Sequence, residues 1–293
     1  MSALCTGQVI AHLGQGIAVE IDQHIILCQT LRKLETVAVG DNVTCSIVGP
    51  EQGRIEAILP RRSLLLRPSR DGKTRPVAAN IDFIYVVFAV EPVCDFLLLD
   101  QYLAICENQS ISAKLILNKT DLSAVTAISD ELKVYAALGY DLHYVSANQH
   151  SGIEELQKAL QGHVNIFVGQ SGVGKSSLTN ILIPDKAIKT NTISATTKHG
   201  RHTTTSATLY HLPEGGDLID SPGVAIFGLA DLTENQLAHG YREFQPLIDQ
   251  CRFKNCRHVS DAGCAVRTAA DRGDIAMSRY QRFLKLREKM PMH

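Results

Sequence analysis

The sequence has no large excess of positive or negative charge and no long apolar run. Its 29 Lys and Arg residues nearly balance 30 Asp and Glu residues, which leaves a formal net charge of -1. A nearly neutral chain has no global attraction to nucleic acid or membrane, so a polyanion-binding surface requires local clusters of Lys and Arg. Apolar segments such as residues 81–90 are too short to cross a bilayer, and residues 1–20 carry no basic stretch followed by a long apolar run. We therefore expect a soluble, cytoplasmic protein without a membrane partner.

The eight cysteines are spread over 293 residues instead of being concentrated in a short segment. Disulfide frameworks are typical of small secreted domains, so reduced thiols or metal ligands are the better expectation here. The length and the hydrophobic content of 45% predict a large core divided between two or three domains.

Short runs of alternating apolar and polar residues predict an all-β domain over residues 1–70. Gly, Asp and Asn separate the runs, and no helical stripe intervenes. The expected strands are residues 7–12, 16–21, 24–28, 42–48 and 54–59. This pattern predicts a small barrel of the oligonucleotide-binding (OB) type, and the alternative is a generic barrel of the same strand number without a nucleic-acid role.

Residues 60–76 are rich in Pro, Gly and basic residues, with six Lys or Arg against one Asp. The composition predicts a basic linker, which is either a solvated connector or one that also contacts phosphates. Apolar strands then alternate with helices over residues 71–230, which predicts an α/β domain with a parallel sheet. Residues 231–293 are predicted to form a mostly helical third domain that ends in a basic helix at about 274–290.

A glycine-rich segment matches the phosphate-binding pattern GxxxxGK[ST] in the context that the pattern requires. It follows the apolar strand 164–168 and opens a helix that runs to residue 183. Backbone N–H groups of such a loop surround phosphate oxygens, while the lysine reaches the β- and γ-phosphates and the next serine binds Mg²⁺. The expected phosphate ligands are Gly169, Gln170, Ser171, Gly172, Val173, Gly174, Lys175, Ser176 and Ser177, with Lys175 also counted as catalytic.

Asp220 ends the strand at 217–219 and opens the sequence Asp-Ser-Pro-Gly. Together with the phosphate loop, this placement predicts that the Asp220 carboxylate helps to hold the magnesium ion and that the Gly223 amide senses the γ-phosphate. An ordinary strand-ending turn is the alternative for this segment taken alone.

Asn118, Lys119, Thr120 and Asp121 identify the base as guanine. They follow the strand 113–117, at the edge where loops leave a parallel sheet. The Asp121 carboxylate accepts from N1–H and the 2-amino group of guanine, whereas adenine would leave that charge without a partner. A second strand, 142–145, is followed by Ser146 and Ala147, which are expected to give a backbone N–H to guanine O6.

The guanine-reading residues precede the phosphate loop, which is the reverse of the order in ordinary GTPases of this class. The same sheet forms if only the chain ends have moved, because circular permutation is tolerated where the original termini lie close together at the surface. The sequence therefore predicts a circularly permuted GTPase.

Cys251, Cys256, His258 and Cys264 place four soft or borderline ligands within fourteen residues. This donor set predicts a closed tetrahedral site for one structural Zn²⁺. Residues 251–293 contain ten Lys or Arg residues and four acidic residues. This excess of positive charge makes the region a candidate for RNA contact.

The chain closely resembles the ribosome small subunit-dependent GTPase A family (RsgA, also called YjeQ or EngC) over essentially its full length. The permuted order, the phosphate loop, the segment Gly200-Arg-His-Thr-Thr-Thr205, the Asp220 to Gly223 turn and the Cys251 to Cys264 knuckle carry the resemblance. It implies an OB barrel, a permuted GTPase core and a zinc domain that act as a monomer on the small ribosomal subunit, with its 16S rRNA and proteins, late in maturation. It also implies slow GTP hydrolysis that this subunit stimulates and that promotes release.

Val224 stands where many GTPases place a glutamine that orients water, so another group must do so. The resemblance implies that His202 orients the water. The alternative is that this loop histidine has only a structural role. One of Thr203 to Thr205 is expected to bind the magnesium ion in the GTP state. Spacing does not choose among the three, and we assign the role to Thr204. The alternatives to a ribosome-dependent GTPase are a P-loop ATPase or kinase with a nucleic-acid-binding barrel, and a GTP-dependent RNA-binding module whose hydrolysis is incidental.

Overall fold

A computed structural model of the chain describes residues 4–31, 33–68, 74–186, 207–221 and 232–290. The strands are β1 (Leu4–Leu13), β2 (Gly16–Ile21), β3 (His24–Thr30), β4 (Asn42–Gly49), β5 (Gln52–Ile58), β6 (Leu64–Pro68), β7 (Thr74–Ala79), β8 (Phe83–Phe88), β9 (Ser112–Leu117), β10 (Leu142–Tyr144), β11 (Val164–Val168), β12 (Thr208–His211) and β13 (Asp217–Asp220). The α-helices are α1 (Phe96–Asn108), α2 (Ser129–Ala137), α3 (Ile153–Leu160), α4 (Lys175–Leu182), α5 (Glu234–His239), α6 (Gln245–Ile248), α7 (Ala265–Arg272) and α8 (Met277–Glu288), with a 3₁₀ turn at Ser123–Ile128. Across these ranges, no helix combines the length and the apolar character that a membrane span requires.

The chain divides into two compact units. The first unit contains Met1–Phe83, Glu154–Phe167 and Lys175–Ile226, and the second contains Ile84–Ile153, Val168–Gly174 and Phe227–His293.

The first five strands close into the expected OB-type barrel in the first unit. β1 pairs with β2 and also with β4, where Cys5 lies opposite Cys45, and β3 pairs in parallel with β5. Inward-facing apolar side chains such as Val19, Val43 and Ile55 are fully buried and form its core. The alternation of apolar and polar residues therefore placed these strands correctly, although β1 is longer at both ends than expected.

The segment 60–76, predicted as a basic linker, instead contains strand β6 and the start of β7, which pair as an antiparallel hairpin. Its first two arginines are committed to acidic partners. The Arg61 guanidinium donates twice to the Asp41 carboxylate, at 2.7 and 2.8 Å, and Arg62 Nη1 donates to Asp82 Oδ1 at 2.6 Å. The Arg61 side chain is only 14% exposed and its charge is paired, so the prediction of an arginine open to solvent or phosphate is wrong for Arg61. Arg62 pairs with Asp82 but stays 64% exposed, as a solvated connector would have it.

The α/β region contains parallel pairs of strands, as expected from the alternation of strands and helices. β10 pairs in parallel with β9 in the second unit, and β11 pairs in parallel with β13 in the first. The sequence did not predict β12, a short strand that runs antiparallel to β13 and contacts the barrel through a bridge between Thr208 and Ala11.

The C-terminal region is mostly helical, and its last helix, α8, is anchored to α1 within the second unit. Asp100 of α1 is fully buried, and its two oxygens accept from Arg279 Nη1 at 2.5 Å and from Arg282 Nε at 2.6 Å. Arg279 is only 1% exposed and also donates to Glu243. Because each buried charge has an oppositely charged partner, the cluster fixes the position of α8 on α1.

Candidate nucleotide site and metal centre

The phosphate loop lies between β11 and α4, and its three glycines, Gly169, Gly172 and Gly174, all have positive φ, which favours glycine. Gly169 has φ +139°, and a Cβ there would lie 2.0 Å from the Val87 carbonyl oxygen. Gly174 has φ +95°, and a Cβ there would lie 2.2 Å from Asn118 Nδ2. Side chains at these positions are therefore excluded by both backbone strain and overlap.

Asn118 joins the phosphate loop to the two loops predicted to bind the base. Its side chain is buried, with Nδ2 donating to the Val173 carbonyl at 2.9 Å and Oδ1 accepting from the Ala147 N–H at 3.1 Å. The Thr120 N–H also donates to the Val145 carbonyl, at 3.2 Å, so the loops after β9 and β10 are held together. The structure thus brings residues from three sequence-distant motifs into direct contact within the second unit.

Asp121 is held as an oriented carboxylate. The Ser146 hydroxyl donates to Asp121 Oδ1 at 2.5 Å and itself accepts from the Gln149 N–H at 3.1 Å. The hydrogen bond from Ser146 lowers the pKa of Asp121 below its ordinary value, so the group is ionised at neutral pH. The second oxygen of the carboxylate can accept further hydrogen bonds, and recognition of guanine requires an acceptor for its N–H groups.

Lys119 has a left-handed backbone, with φ +63°, and its Nζ donates to the Glu91 carbonyl at 2.7 Å. A non-glycine residue with positive φ is uncommon, and here the strained turn is held by hydrogen bonds on both sides. Sequence reasoning identified Lys119 but not Glu91, because a backbone acceptor leaves no signal in the side-chain pattern.

Three charged residues lie here in the first unit: Lys175 at the start of α4, Lys186 after the end of α4, and Asp220 at the end of β13. Burial lowers the pKa of Lys175, and the Asp220 carboxylate opposes that shift. Asp220 Oδ2 accepts from Lys186 Nζ at 2.6 Å, a contact that the motif did not predict. Ser176 and Ser177 are exposed at the start of α4, so their hydroxyls are accessible to an incoming ligand.

The four predicted metal ligands converge in the second unit. The ligand atoms of Cys251, Cys256, His258 and Cys264 all lie within 4.8 Å of one another, and His258 Nδ1 lies 3.6 Å from both Cys251 Sγ and Cys264 Sγ. In a tetrahedral site with Zn–S of about 2.3 Å and Zn–N of about 2.0 Å, neighbouring S and N ligands are separated by roughly 3.5 Å. The observed spacing fits a metal ion bound by all four residues.

The surroundings of the Cys/His cluster support this fit. Burial lowers the pKa of His258, which favours the neutral imidazole that a metal requires. The Tyr280 hydroxyl of α8 donates to the His258 carbonyl at 2.9 Å, and Cys264 Sγ accepts from the Arg267 N–H at 3.3 Å at the start of α7. Contacts outside the donor set therefore fix two of the ligands.

Three predicted site residues lie outside the described residues. These are His202 and Thr204 in the segment before β12, and Gly223 after β13. Their predicted roles remain predictions.

The model of the RsgA GTPase family matches residues 58–230, more than half of the chain. The chain belongs to the RsgA GTPase family. It is therefore a GTP-hydrolysing enzyme, and the reversed order of its motifs is the order of a circularly permuted GTPase. The alternative of a P-loop ATPase or kinase is not favoured.

Relatives of the RsgA family match this chain over nearly its whole length. The small ribosomal subunit biogenesis GTPase RsgA of Chromohalobacter salexigens is 45% identical, and the match covers 94% of this chain and 84% of that one. The protein of the same name from Pseudomonas aeruginosa strain PAO1 is 43% identical, with 98% and 86% covered.

Solved structures of the RsgA type share the fold. The crystal structure of YjeQ from Thermotoga maritima has a TM-score of 0.80, 30% identity and 98% of both chains covered. The structure of YloQ, described as a circularly permuted GTPase, has a TM-score of 0.75 and covers 99% of this chain at 24% identity, so it supports the fold alone.

Proposed function

We propose that this protein is a late-stage assembly factor of the small (30S) ribosomal subunit that binds rRNA and leaves after subunit-stimulated GTP hydrolysis. The observation that carries the proposal is the near-complete match to relatives named small ribosomal subunit biogenesis GTPases, at 45% identity over 284 residues. The proposed partners are 16S rRNA, ribosomal proteins and GTP or GDP, and the proposed location is the cytoplasm. The protein is proposed to act as a monomer.

Roles in this cycle are assigned to the two halves of the nucleotide site. Asn118 to Asp121, with Ser146 and Ala147, are proposed to bind guanine, and Gly169 to Ser177 are proposed to bind the phosphates. Ser176, Thr204, Asp220 and Gly223 are proposed to hold magnesium or sense the γ-phosphate. The Asp220 carboxylate already binds one cation, the Lys186 ammonium. This contact supports an ion-binding role, since a divalent cation would take the place of that ammonium.

The metal of the Cys/His cluster is proposed to be one structural Zn²⁺. Three thiols and one imidazole are a donor set that zinc prefers over magnesium or calcium. Four protein ligands leave no position for water, so zinc would supply folding energy to the knuckle and no chemistry to the reaction. The proposed division into domains remains residues 1–70, 71–230 and 231–293.

GTP turnover is expected to rise about 10²-fold when purified small subunits are added, because one correctly placed group in the transition state has an effect of that order. Phosphate release is measured with and without subunits at several salt concentrations. Stimulation should fall steeply as salt rises, because contacts with phosphates release counterions. Equal turnover with and without subunits at low salt would remove the ribosomal role while leaving the GTPase intact.

Replacing His202 by Ala is expected to lower subunit-stimulated turnover by about 10²-fold, because general-base or water-orienting groups contribute that much. GTP affinity should be unchanged, since the role is confined to the attacking water. The same assay with His239→Ala, an exposed histidine at the end of α5, provides the matched control. Normal stimulation of the His202 variant would exclude this residue from the mechanism.

A further inference from the structure

The zinc knuckle carries an exposed aromatic side chain between two exposed cations. Residues 252–255, Arg-Phe-Lys-Asn, form the turn between the cluster ligands Cys251 and Cys256. Phe253 is 45% exposed, and the Arg252 guanidinium lies 5.4 Å from the centre of its ring. A single exposed apolar residue is common on protein surfaces, so exposure alone does not make Phe253 a binding residue, and its neighbours decide.

The cations beside Phe253 differ from four arginines of the C-terminal region that are paired within the protein. Arg279 and Arg282 are paired with Asp100, and Arg257 and Arg287 are both paired with Glu234. Across the described residues, neither Arg252 nor Lys254 forms an ion pair. The two charges beside Phe253 are therefore accessible to an anion, as are those of the exposed Arg272, Lys285 and Lys289, whereas the other three basic residues of α8 are paired with acidic side chains.

The turn that carries these three residues is held in a fixed conformation. The Cys256 N–H donates to the Phe253 carbonyl at 3.1 Å, and the Arg252 N–H donates to the Gly263 carbonyl at 3.1 Å. Gly263 has φ +72°, and a Cβ there would lie 2.9 Å from Arg252 Cβ, so the two sides of the knuckle pack closely. An aromatic ring presented on a constrained turn loses little conformational entropy when it is covered by a ligand.

We infer that Phe253, flanked by Arg252 and Lys254, is a stacking platform for an unpaired nucleotide of RNA. The ring offers a flat apolar surface to a base, and the two cations offer charge to the phosphates on either side of it. A segment of Asp and Glu would use the charges but has no aromatic face to stack on the ring, which is why a nucleotide fits better. This inference rests on the proposed function for its choice of RNA and assigns a specific contact within it.

The test uses the full-length protein and a fluorescein-labelled twelve-nucleotide oligoadenylate, with binding followed by fluorescence anisotropy. Phe253→Leu keeps an apolar side chain but removes the aromatic face. Because stacking of one base on an aromatic ring is worth about 1–3 kcal/mol, the affinity of this variant for the RNA should fall roughly 5- to 100-fold. Phe253→Trp should bind at least as well as the unchanged protein. Tyr144→Leu removes an aromatic residue that is 52% exposed but not flanked by cations in sequence, and it should bind normally.

The salt dependence separates the ring from the charges. Arg252→Gln and Lys254→Gln should each reduce the slope of log K against log salt by about 0.7, whereas Phe253→Leu should leave the slope unchanged. Each variant must retain the metal content of the unchanged protein, which shows that the knuckle is folded.

Equal RNA affinity of the Phe253→Leu variant and the unchanged protein would overturn the inference. Tighter binding of an oligoglutamate peptide than of the RNA would also overturn it and would assign the patch to a protein partner. Neither result bears on the proposed function, because stimulation of the unchanged protein by small subunits is measured separately.

Discussion

Asp121→Asn is expected to lower GTP affinity by about 10⁴-fold and to create affinity for XTP, because a site built on hydrogen bonds discriminates by leaving polar groups unpaired. The Asp121 carboxylate is oriented by the Ser146 hydroxyl and ionised, so it can accept from two N–H groups of guanine. An amide retains one acceptor but presents an NH₂ group to the 2-amino group of guanine. Xanthine has a carbonyl at that position, and it would accept from the new NH₂ group.

Direct titration of the variant and the unchanged protein with fluorescent analogues of GTP, XTP and ATP measures this change in base preference. Asp130→Asn serves as the control, because Asp130 is an exposed aspartate on α2 that pairs with Lys133. A variant at Asp121 that still preferred GTP to XTP would show that the base is recognised elsewhere.

Loss of the knuckle metal is expected to have the largest effect on stability. Replacing Cys264 by Ser removes a buried ligand while a serine hydroxyl can still cap the start of α7, so the effect reports on the metal. Structural zinc sites couple about 10–16 kcal/mol of binding free energy to folding. We expect the metal content to fall from one equivalent per chain to near zero. Amide exchange should then accelerate across the knuckle and α7, because the fixed position of these segments depends on the ligands.

Elemental analysis and hydrogen exchange measure these two effects. Cys94→Ser is the matched control, since Cys94 is a partly buried thiol outside the cluster. A metal-free Cys264→Ser protein with unchanged exchange in residues 251–272 would contradict a structural role for the ion.

Local sequence patterns predicted much of the fold and of the candidate site. Alternation identified the barrel strands, and the Cys/His spacing identified four residues that converge in the structure, because those features depend on neighbouring residues. The hairpin of β6 and β7 was missed because its strands are interrupted by Pro and Arg, which are typical of loops. A basic composition gives no information on pairing, so Arg61 was assigned to solvent although it binds Asp41.

Contacts between distant parts of the chain account for the other differences. The basic last helix belongs to a region that was a candidate for RNA contact, yet its Arg279 is buried against Asp100, which is 179 residues away in sequence. No local pattern reveals a partner at that distance. Similarly, Asn118 and Val173 are 55 residues apart, and only the folded structure shows that the base-reading loop supports the phosphate loop directly.

The buried cluster of Asp100, Arg279 and Arg282 limits how the protein can be shortened. A chain cut before α8 would leave the Asp100 carboxylate in an apolar interior without either cation, and an uncompensated buried charge costs about 3–5 kcal/mol. The second unit therefore requires the last helix to be stable. Genetic dissection of this enzyme into a nucleotide-binding fragment and a metal-binding fragment would yield two incomplete cores in place of two domains.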